Sequence, residues 1–284
     1  MRWEKGRRSD NIEDQRGRRI TRGAKGGGIL ILLLALVGMY FGIDPSVILN
    51  LGSRMESEQT TSSDYTPTEE ENRLAEFVSV VLADTEDTWR SQFNGMGGSY
   101  VEPKLVLFSG AVQSACGFAQ AAMGPFYCPG DRKVYIDLGF YHDLKNKLHA
   151  PGDFAQAYVI AHEVGHHVQN LLGITGKVHA ARGELSDQDY NKLSVRLELQ
   201  ADCLAGIWAH FADKTRNIVE PGDIDEALNA ASQIGDDRLQ KQSRGYVTPD
   251  SFTHGTSEQR ARWFKQGYNR GDFNSCNTFE ARAL

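Results

Sequence analysis

The sequence predicts an α+β protein that is mostly helical, contains a small sheet and is preceded by one transmembrane helix. Three observations lead to this fold class. Residues 153–172 and 187–211 carry apolar residues at the spacing of long, partly buried helices. Residues 104–109 and 133–138 have the composition and length of short strands. Residues 26–43 are apolar and contain no charge.

The first 43 residues predict a membrane anchor. Residues 1–25 contain nine Lys or Arg residues and four acidic ones, although the 284-residue chain has a net charge of −6. The apolar residues 26–43 would extend about 27 Å as a helix, close to the hydrocarbon thickness of a bilayer. The positive-inside rule therefore predicts that residues 1–25 are a basic cytoplasmic segment and that the rest of the chain is periplasmic.

Two alternatives to this anchor have less support. A cleaved signal peptide would suit the short apolar core, but no A-x-A-like cleavage site follows it. Nucleic-acid binding by the basic segment would need that segment to act alone, and an orientation signal explains its charge better. We therefore expect the bilayer, contacted by residues 26–43, as a partner and no nucleic acid. The predicted location is the bacterial inner membrane, crossed once.

The remaining chain divides into a linker and one domain. Residues 44–72 are the predicted linker, because from residue 51 they are polar and nearly without hydrophobic residues. Residues 73–284 form the predicted domain, which begins with an amphipathic helix from Leu74 to about Trp89. The strand at residues 133–138 is either an edge on which an extended peptide docks or an ordinary core strand.

The motif H-E-V-G-H at residues 162–166 carries the predicted chemistry. His162 and His166 lie one helical turn apart on one face, so their neutral imidazoles can bind a single Zn²⁺. Glu163 projects beside the metal, where it can take a proton from water. Apolar neighbours oppose the alternative of a chance match on a solvated helix. Gly165 costs about 1 kcal/mol of helix propensity, and its small size suggests a close approach by another element.

The second long helix supplies the predicted third ligand. Glu198 lies 36 residues after His162 and can reach the metal from a packed antiparallel helix. Asp202, four residues further along the same face, would fix the tautomer of a ligand imidazole through its other N–H. An acidic pair on a solvated face is the alternative, but this helix carries many apolar residues. A metzincin is excluded, because that class would need Gly and His where the chain has Gln169 and Leu172.

H-E-V-G-H followed by E-L-Q-A-D at residues 198–202 resembles the gluzincin pattern. Further segments resemble the bacterial putative neutral zinc metallopeptidase family over essentially the whole chain. They include A-C-G-F from Ala115, M-G-P-F-Y-C-P-G-D from Met123 and H-G-T-S-E-Q-R from His254. The resemblance implies a zincin-like (gluzincin) catalytic domain, a Zn²⁺ cofactor and a peptidase-type active site in a membrane-anchored protein. It implies no particular substrate.

His254 lies in a turn directly before a predicted helix. In some gluzincins a similar T-H-P segment delivers a histidine to the active site, but here Gly255 replaces the proline. Two interpretations are open. His254 is either a catalytic donor that stabilises the tetrahedral oxyanion or a residue of a helix-capping loop.

The four cysteines favour disulfides in an exported domain. Cys116 and Cys128 flank a loop, and Cys203 and Cys276 remain as a second possible pair. That second bridge would tie the carboxy-terminal tail to the helix of Glu198. The alternative of Cys203 as a metal ligand is disfavoured, because its side chain points about 100° away from Asp202 around the helix.

These features predict a membrane-anchored zinc metallopeptidase that hydrolyses peptide bonds in a peptide or protein substrate. The alternative is a non-catalytic, membrane-tethered binding or scaffold protein with a structural zinc site. Glu163 favours the enzyme, because three ligands would hold the metal without it.

Overall fold

A computed structural model describes residues 1–19, 61–62 and 65–284 of the chain. The helices formed within those residues are α1 (Glu69–Gly95), α2 (Gly139–Asn146), α3 (Asp153–Leu171), α4 (Ile174–Ala180), α5 (Asp187–Lys214), α6 (Asp223–Gln233), α7 (Asp236–Arg244) and α8 (Ser257–Arg270). The strands are β1 (Ile12–Asp14), β2 (Arg18–Arg19), β3 (Thr61–Ser62), β4 (Lys104–Phe108), β5 (Ala111–Ser114), β6 (Gly117–Gln120), β7 (Phe126–Cys128) and β8 (Lys133–Asp137). The predicted helical domain with a small sheet is confirmed.

The largest sheet has four strands in the order β1-β4-β8-β7. β1 and β8 both run parallel to β4, and β7 pairs antiparallel with β8. Four of the five side chains of β4 are buried, which shows that both faces of the sheet are covered. The strand predicted at residues 133–138 is a core strand of this sheet, because β8 lies between two other strands. β1 and β7 are the two edge strands.

Helices α3, α5 and α8 form the centre of the domain. Their largest buried side chains are aromatic and include Phe154, Tyr158, Trp208 and Phe264. The backbones of α5 and α8 are in direct contact at Gly267. A Cβ atom at that position would collide with the carbonyl oxygen of Cys203. Glycine permits this close crossing and helps to fix the position of α8 against α5.

Residues 1–19 pack against the same domain, whereas the sequence predicted residues 1–25 as a separate cytoplasmic segment. β1 pairs with β4, and the Trp3 side chain is buried against Phe77 of α1. The α-ammonium group of Met1 donates hydrogen bonds to Asp153 and Asp223. The charges that suggested an orientation signal are therefore partly used inside the fold. For example, the Arg7 guanidinium group donates a hydrogen bond to the buried carboxylate of Glu86.

The predicted fold class needs one correction. No helix in residues 1–19, 61–62 and 65–284 is long and apolar enough to cross a membrane, and the preceding transmembrane helix is not seen. The predicted span, residues 26–43, lies outside the described residues, as does most of the predicted linker 44–72.

Both predicted disulfides are formed. Cys116 pairs with Cys128 and closes the loop that carries β6 and β7. Cys203 pairs with Cys276 and ties the carboxy-terminal segment to α5. The described residues contain no free cysteine, so Cys203 is not a metal ligand.

Candidate metal centre

The metal centre is built where α3 and α5 pack closely against each other. A Cβ atom at Gly165 would lie 3.0 Å from the carbonyl oxygen of Ala201 on α5, closer than nearly all real contacts of that kind. The predicted close approach at Gly165 is thus confirmed. It brings the histidines of α3 within reach of the carboxylate of Glu198 on α5.

The predicted ligand set lies together. Nε2 of His162 is 3.3 Å from Oε2 of Glu198, and Nε2 of His166 is 3.4 Å from Oε1 of the same carboxylate. One ligand atom from each of the three residues can be chosen so that all lie within 4.8 Å of one another. Tetrahedral Zn²⁺ with bonds of about 2.0–2.1 Å needs ligand atoms about 3.3 Å apart. The three residues therefore fit Zn²⁺.

Each ligand imidazole forms a hydrogen bond through Nδ1, the ring nitrogen that faces away from the other ligands. Nδ1 of His162 lies 2.8 Å from Oδ1 of Asp202, the position predicted for that carboxylate. Nδ1 of His166 lies 2.9 Å from Oε1 of Gln169, so its N–H donates to an amide oxygen. Both contacts leave Nε2 free for the metal and fix the ring orientation, as outer partners of metal-binding histidines do.

Arg260, a buried residue on α8, completes this arrangement. Its Nε donates to Oδ2 of Asp202 at 2.9 Å and its Nη2 to Oδ1 at 3.0 Å. The Tyr158 hydroxyl donates to the same carboxylate at 2.5 Å. Burial alone would raise the pKa of Asp202, but the nearby charges of Arg260 and His162 lower it. Asp202 therefore stays ionised beside His162.

The carboxylates of Asp202 and Glu198 also change the pKa of the neighbouring histidine. Burial lowers the pKa of His162, but Asp202 and Glu198 outweigh this effect and raise it to about 9. The pKa of Glu198 is lowered well below its usual value despite its burial, because the two imidazoles lie beside it. The site thus favours positive charge at the point where the three ligands meet.

Glu163 and His254 both line the cleft that contains the ligands. His254 is held by Asp236, whose Oδ1 lies 3.2 Å from Nδ1 of the ring. The other oxygen of Asp236 accepts backbone N–H groups from the same turn, those of Thr253, His254 and Gly255. The hydrogen bond to Asp236 raises the pKa of His254. His254 is therefore both a turn residue and a wall of the cleft.

The cleft itself has a volume of about 750 Å³, in the range of sites for small molecules and peptide side chains. The metal ligands form part of its wall. Another wall is the loop closed by Cys116 and Cys128, which contributes apolar residues such as Met123 and Phe126. Phe140 of α2 faces the same space. The cleft is open to solvent beside the metal centre, as expected for a site that admits a substrate.

Three site residues were not predicted. Gln169 is one turn beyond His166 on the buried face of α3, and Arg260 lies on the face of α8 that buries Trp263 and Phe264. A polar residue at a buried helical position needs a partner. The helical spacing that places Gln169 and Arg260 among buried apolar residues could therefore have indicated both. Asp236 gave no such signal, because it begins a short polar helix.

Two imidazoles on one helix, a carboxylate on a second helix and a glutamate directly after the first histidine define a gluzincin-type metal centre. The chain belongs to the putative neutral zinc metallopeptidase family, which matches residues 1–279. The predicted family membership is confirmed, and the family name implies zinc and, at a coarse level, a hydrolase.

The chain is similar to bacterial proteins along most of its length. It is 52% identical to "Uncharacterized protein YpfJ" of Escherichia coli strain K12, over 98% of this chain and 99% of that protein. It is 42% identical to "Uncharacterized protein Mb2605" of Mycobacterium bovis, over 75% of this chain and 73% of that protein. "Uncharacterized protein Rv2575" of Mycobacterium tuberculosis is similar to the same extent. No solved structure matches the chain significantly.

Proposed function

We propose that this protein is a zinc-dependent peptidase that hydrolyses peptide bonds in a peptide or protein substrate. The observation that carries the proposal is the open side of the metal centre. His162, His166 and Glu198 offer three ligand atoms around one point, and the cleft reaches that point from solvent. Catalytic zinc sites have three protein ligands and keep one position open, whereas structural sites have four.

The three ligands would hold Zn²⁺, which when bound polarises a carbonyl group and lowers the pKa of water. Glu163 would be the general base, because it follows His162 directly and lines the same cleft. It takes a proton from water as the peptide carbonyl is attacked and returns the proton to the leaving amine. His254 faces the same cleft, and because Asp236 engages Nδ1, Nε2 is the ring nitrogen left to donate to the developing oxyanion.

The sheet edge beside the cleft supports an extended peptide as the substrate. β7 is one of the two edge strands of the four-stranded sheet, and its residues Phe126 and Tyr127 line the cleft. An exposed strand edge can pair with the backbone of an extended peptide, while neighbouring pockets receive its side chains. The apolar wall around Met123 and Phe140 favours substrates with an apolar side chain near the scissile bond.

We also propose that the domain works outside the cytoplasm. Its two disulfides support this location, because disulfides form and persist in oxidising compartments.

Glu163→Gln tests the proposed function. The substitution keeps the size of the side chain but removes the base, so we expect zinc to bind one to one while hydrolysis falls about 10²- to 10⁴-fold. Zinc content by elemental analysis and cleavage of a peptide library by the full-length protein are the measurements. Glu258→Gln, at an exposed position of α8, is the control and should cleave like the wild type.

Two results would count against the proposal. Equal cleavage by the wild type and by Glu163→Gln would remove Glu163 from the mechanism. Zinc bound tightly by a wild-type protein that cleaves nothing in the library would favour the non-catalytic scaffold.

A further inference from the structure

A second cavity lies next to the cleft and plays no part in the proposed hydrolysis. It has a volume of about 480 Å³ and is walled by α4, α5 and the carboxy-terminal segment. Most of its lining is apolar and includes Ile174, Val178, Leu193 and Phe273.

Helix α4 separates this second cavity from the cleft. Thr175 and His179 of α4 line the cleft, whereas Ile174, Lys177 and Val178 line the second cavity. The two spaces thus have different walls on neighbouring faces of one short helix. A molecule in the second cavity would touch neither the metal ligands nor Glu163.

The three side-chain amides that line the second cavity each form a hydrogen bond within the protein. The Gln200 amide donates to the carbonyl of Cys276 and accepts from Gln169. The amides of Asn274 and Asn277 donate to Asp272 and Glu280, respectively. The rest of the lining is mainly aliphatic and aromatic, so the body of a ligand would pack against apolar side chains. A peptide would find few hydrogen-bonding partners there for its own amide groups.

Lys177 is exposed and is the only charged residue in the described lining. Its ammonium group forms no recorded ion pair within residues 1–19, 61–62 and 65–284, unlike that of Lys192 on the neighbouring helix, which pairs with Asp189. A single cation on an apolar cavity is complementary to a ligand with one negative charge.

The cavity is also held in shape by covalent structure. The disulfide between Cys203 and Cys276 fixes the segment that carries Phe273 and Asn274 against α5. A cavity that exists before binding spares the ligand the cost of ordering its walls.

We propose that this second cavity binds a small amphipathic anion, namely an unbranched apolar chain that ends in one carboxylate. The chain packs against the apolar lining, and the carboxylate meets Lys177. The site is independent of the proposed peptidase activity, and its occupation does not require zinc.

The test is calorimetric titration of the full-length protein with sodium decanoate. We expect saturable binding of one decanoate per chain, unchanged by removal of zinc with a chelator. Lys177→Gln should weaken binding about threefold, the worth of one partly exposed ion pair. Lys265→Gln, an exposed lysine of α8 outside the lining, is the matched control and should leave binding unchanged.

Substitutions that fill the cavity with a larger side chain are the stronger test of where decanoate binds. Leu193→Trp, and Ile174→Trp from the opposite wall, should each weaken decanoate binding at least about tenfold by excluding two or more methylene groups. Thermal unfolding shows which of the two variants is folded. N-acetyl-trileucine, which has one carboxylate and no ammonium group but adds amide groups, should bind more weakly than decanoate.

Several results would overturn the proposal. One is the absence of saturable binding to the wild type, and another is binding that survives in a folded cavity-filling variant, which would place decanoate elsewhere. Decanol binding as tightly as decanoate, or no effect of Lys177→Gln, would refute the role of the charge. Tighter binding of N-acetyl-trileucine would indicate a peptide carboxy terminus as the ligand instead.

Discussion

Two carboxylates in this protein, the buried Glu86 and the partly buried Glu198, have opposite surroundings. Glu86 of α1 accepts hydrogen bonds from Ser9 at 2.5 Å, Asn11 at 2.9 Å and Arg7 at 2.8 Å, all from the amino-terminal segment. Glu198 of α5 instead faces two imidazole nitrogens at 3.3 and 3.4 Å and borders an open cleft. The first carboxylate is satisfied by the protein, whereas the second is arranged for a cation that the protein does not supply.

This difference separates a structural cluster from a functional one. A buried carboxylate with a full set of donors stabilises the fold, because removing it leaves those donors unpaired. A carboxylate that converges with two imidazoles on an accessible point is stabilised mainly when a metal binds. Substitutions at the two positions should therefore act on different properties.

Glu198→Gln should have the largest effect. The amide has the same shape but is a poor zinc ligand, so we expect zinc affinity to fall more than about 100-fold, beyond the range for loss of an outer partner. The free energy of unfolding without metal should also fall, because the imidazoles lose the carboxylate that pairs with them, but zinc affinity is the property that should change most. Competition with a chromogenic chelator measures the affinity. Retention of wild-type zinc affinity would show that Glu198 is not a ligand.

Glu86→Gln should show the reverse pattern. The amide can accept only part of the hydrogen bonds that the carboxylate accepts, and the positive charge of Arg7 loses its buried partner. We expect the free energy of unfolding to fall by about 2–3 kcal/mol, with unchanged zinc affinity in the folded protein. Chemical denaturation measures the stability. A loss of zinc affinity without a loss of stability would contradict the assignment of Glu86 to the structural cluster.

The two clusters also differ in how far the sequence predicts them. His162, His166, Glu198 and Asp202 lie on two helices with clear periodicity, and helical spacing alone places each pair on one face. The contacts of residues 1–19 with α1 and β4 depend on pairing between distant segments, which no local pattern encodes. Composition therefore indicated a separate charged segment where the fold uses the charges internally.

Asp202→Asn probes the link between these two kinds of cluster, because Asp202 is satisfied like Glu86 yet serves the metal centre. Asparagine can no longer orient His162 and balance Arg260 at once. We expect zinc affinity to fall 10- to 100-fold and the free energy of unfolding to fall by about 3 kcal/mol, since Arg260 is left buried without a counter-charge.

The double variant Asp202→Asn with Arg260→Gln separates the two effects. It should recover part of the stability but not the zinc affinity. Recovery of both would mean that Asp202 acts only as the partner of Arg260 and does not orient His162.

Gly165→Ala has the smallest expected effect and tests how closely α3 and α5 must approach. Alanine gains about 1 kcal/mol of helix propensity, but its methyl group would press on the backbone of Ala201, which cannot move as a side chain can. Overpacking of this kind costs about 1–3 kcal/mol, so the net loss of stability should be about 1 kcal/mol, with weaker zinc binding. Gly176→Ala in α4 is the matched control, because its Cβ atom would meet nothing within 4 Å and it should only gain stability. An equal gain in both variants would show that the two helices have room to separate without disturbing the metal centre.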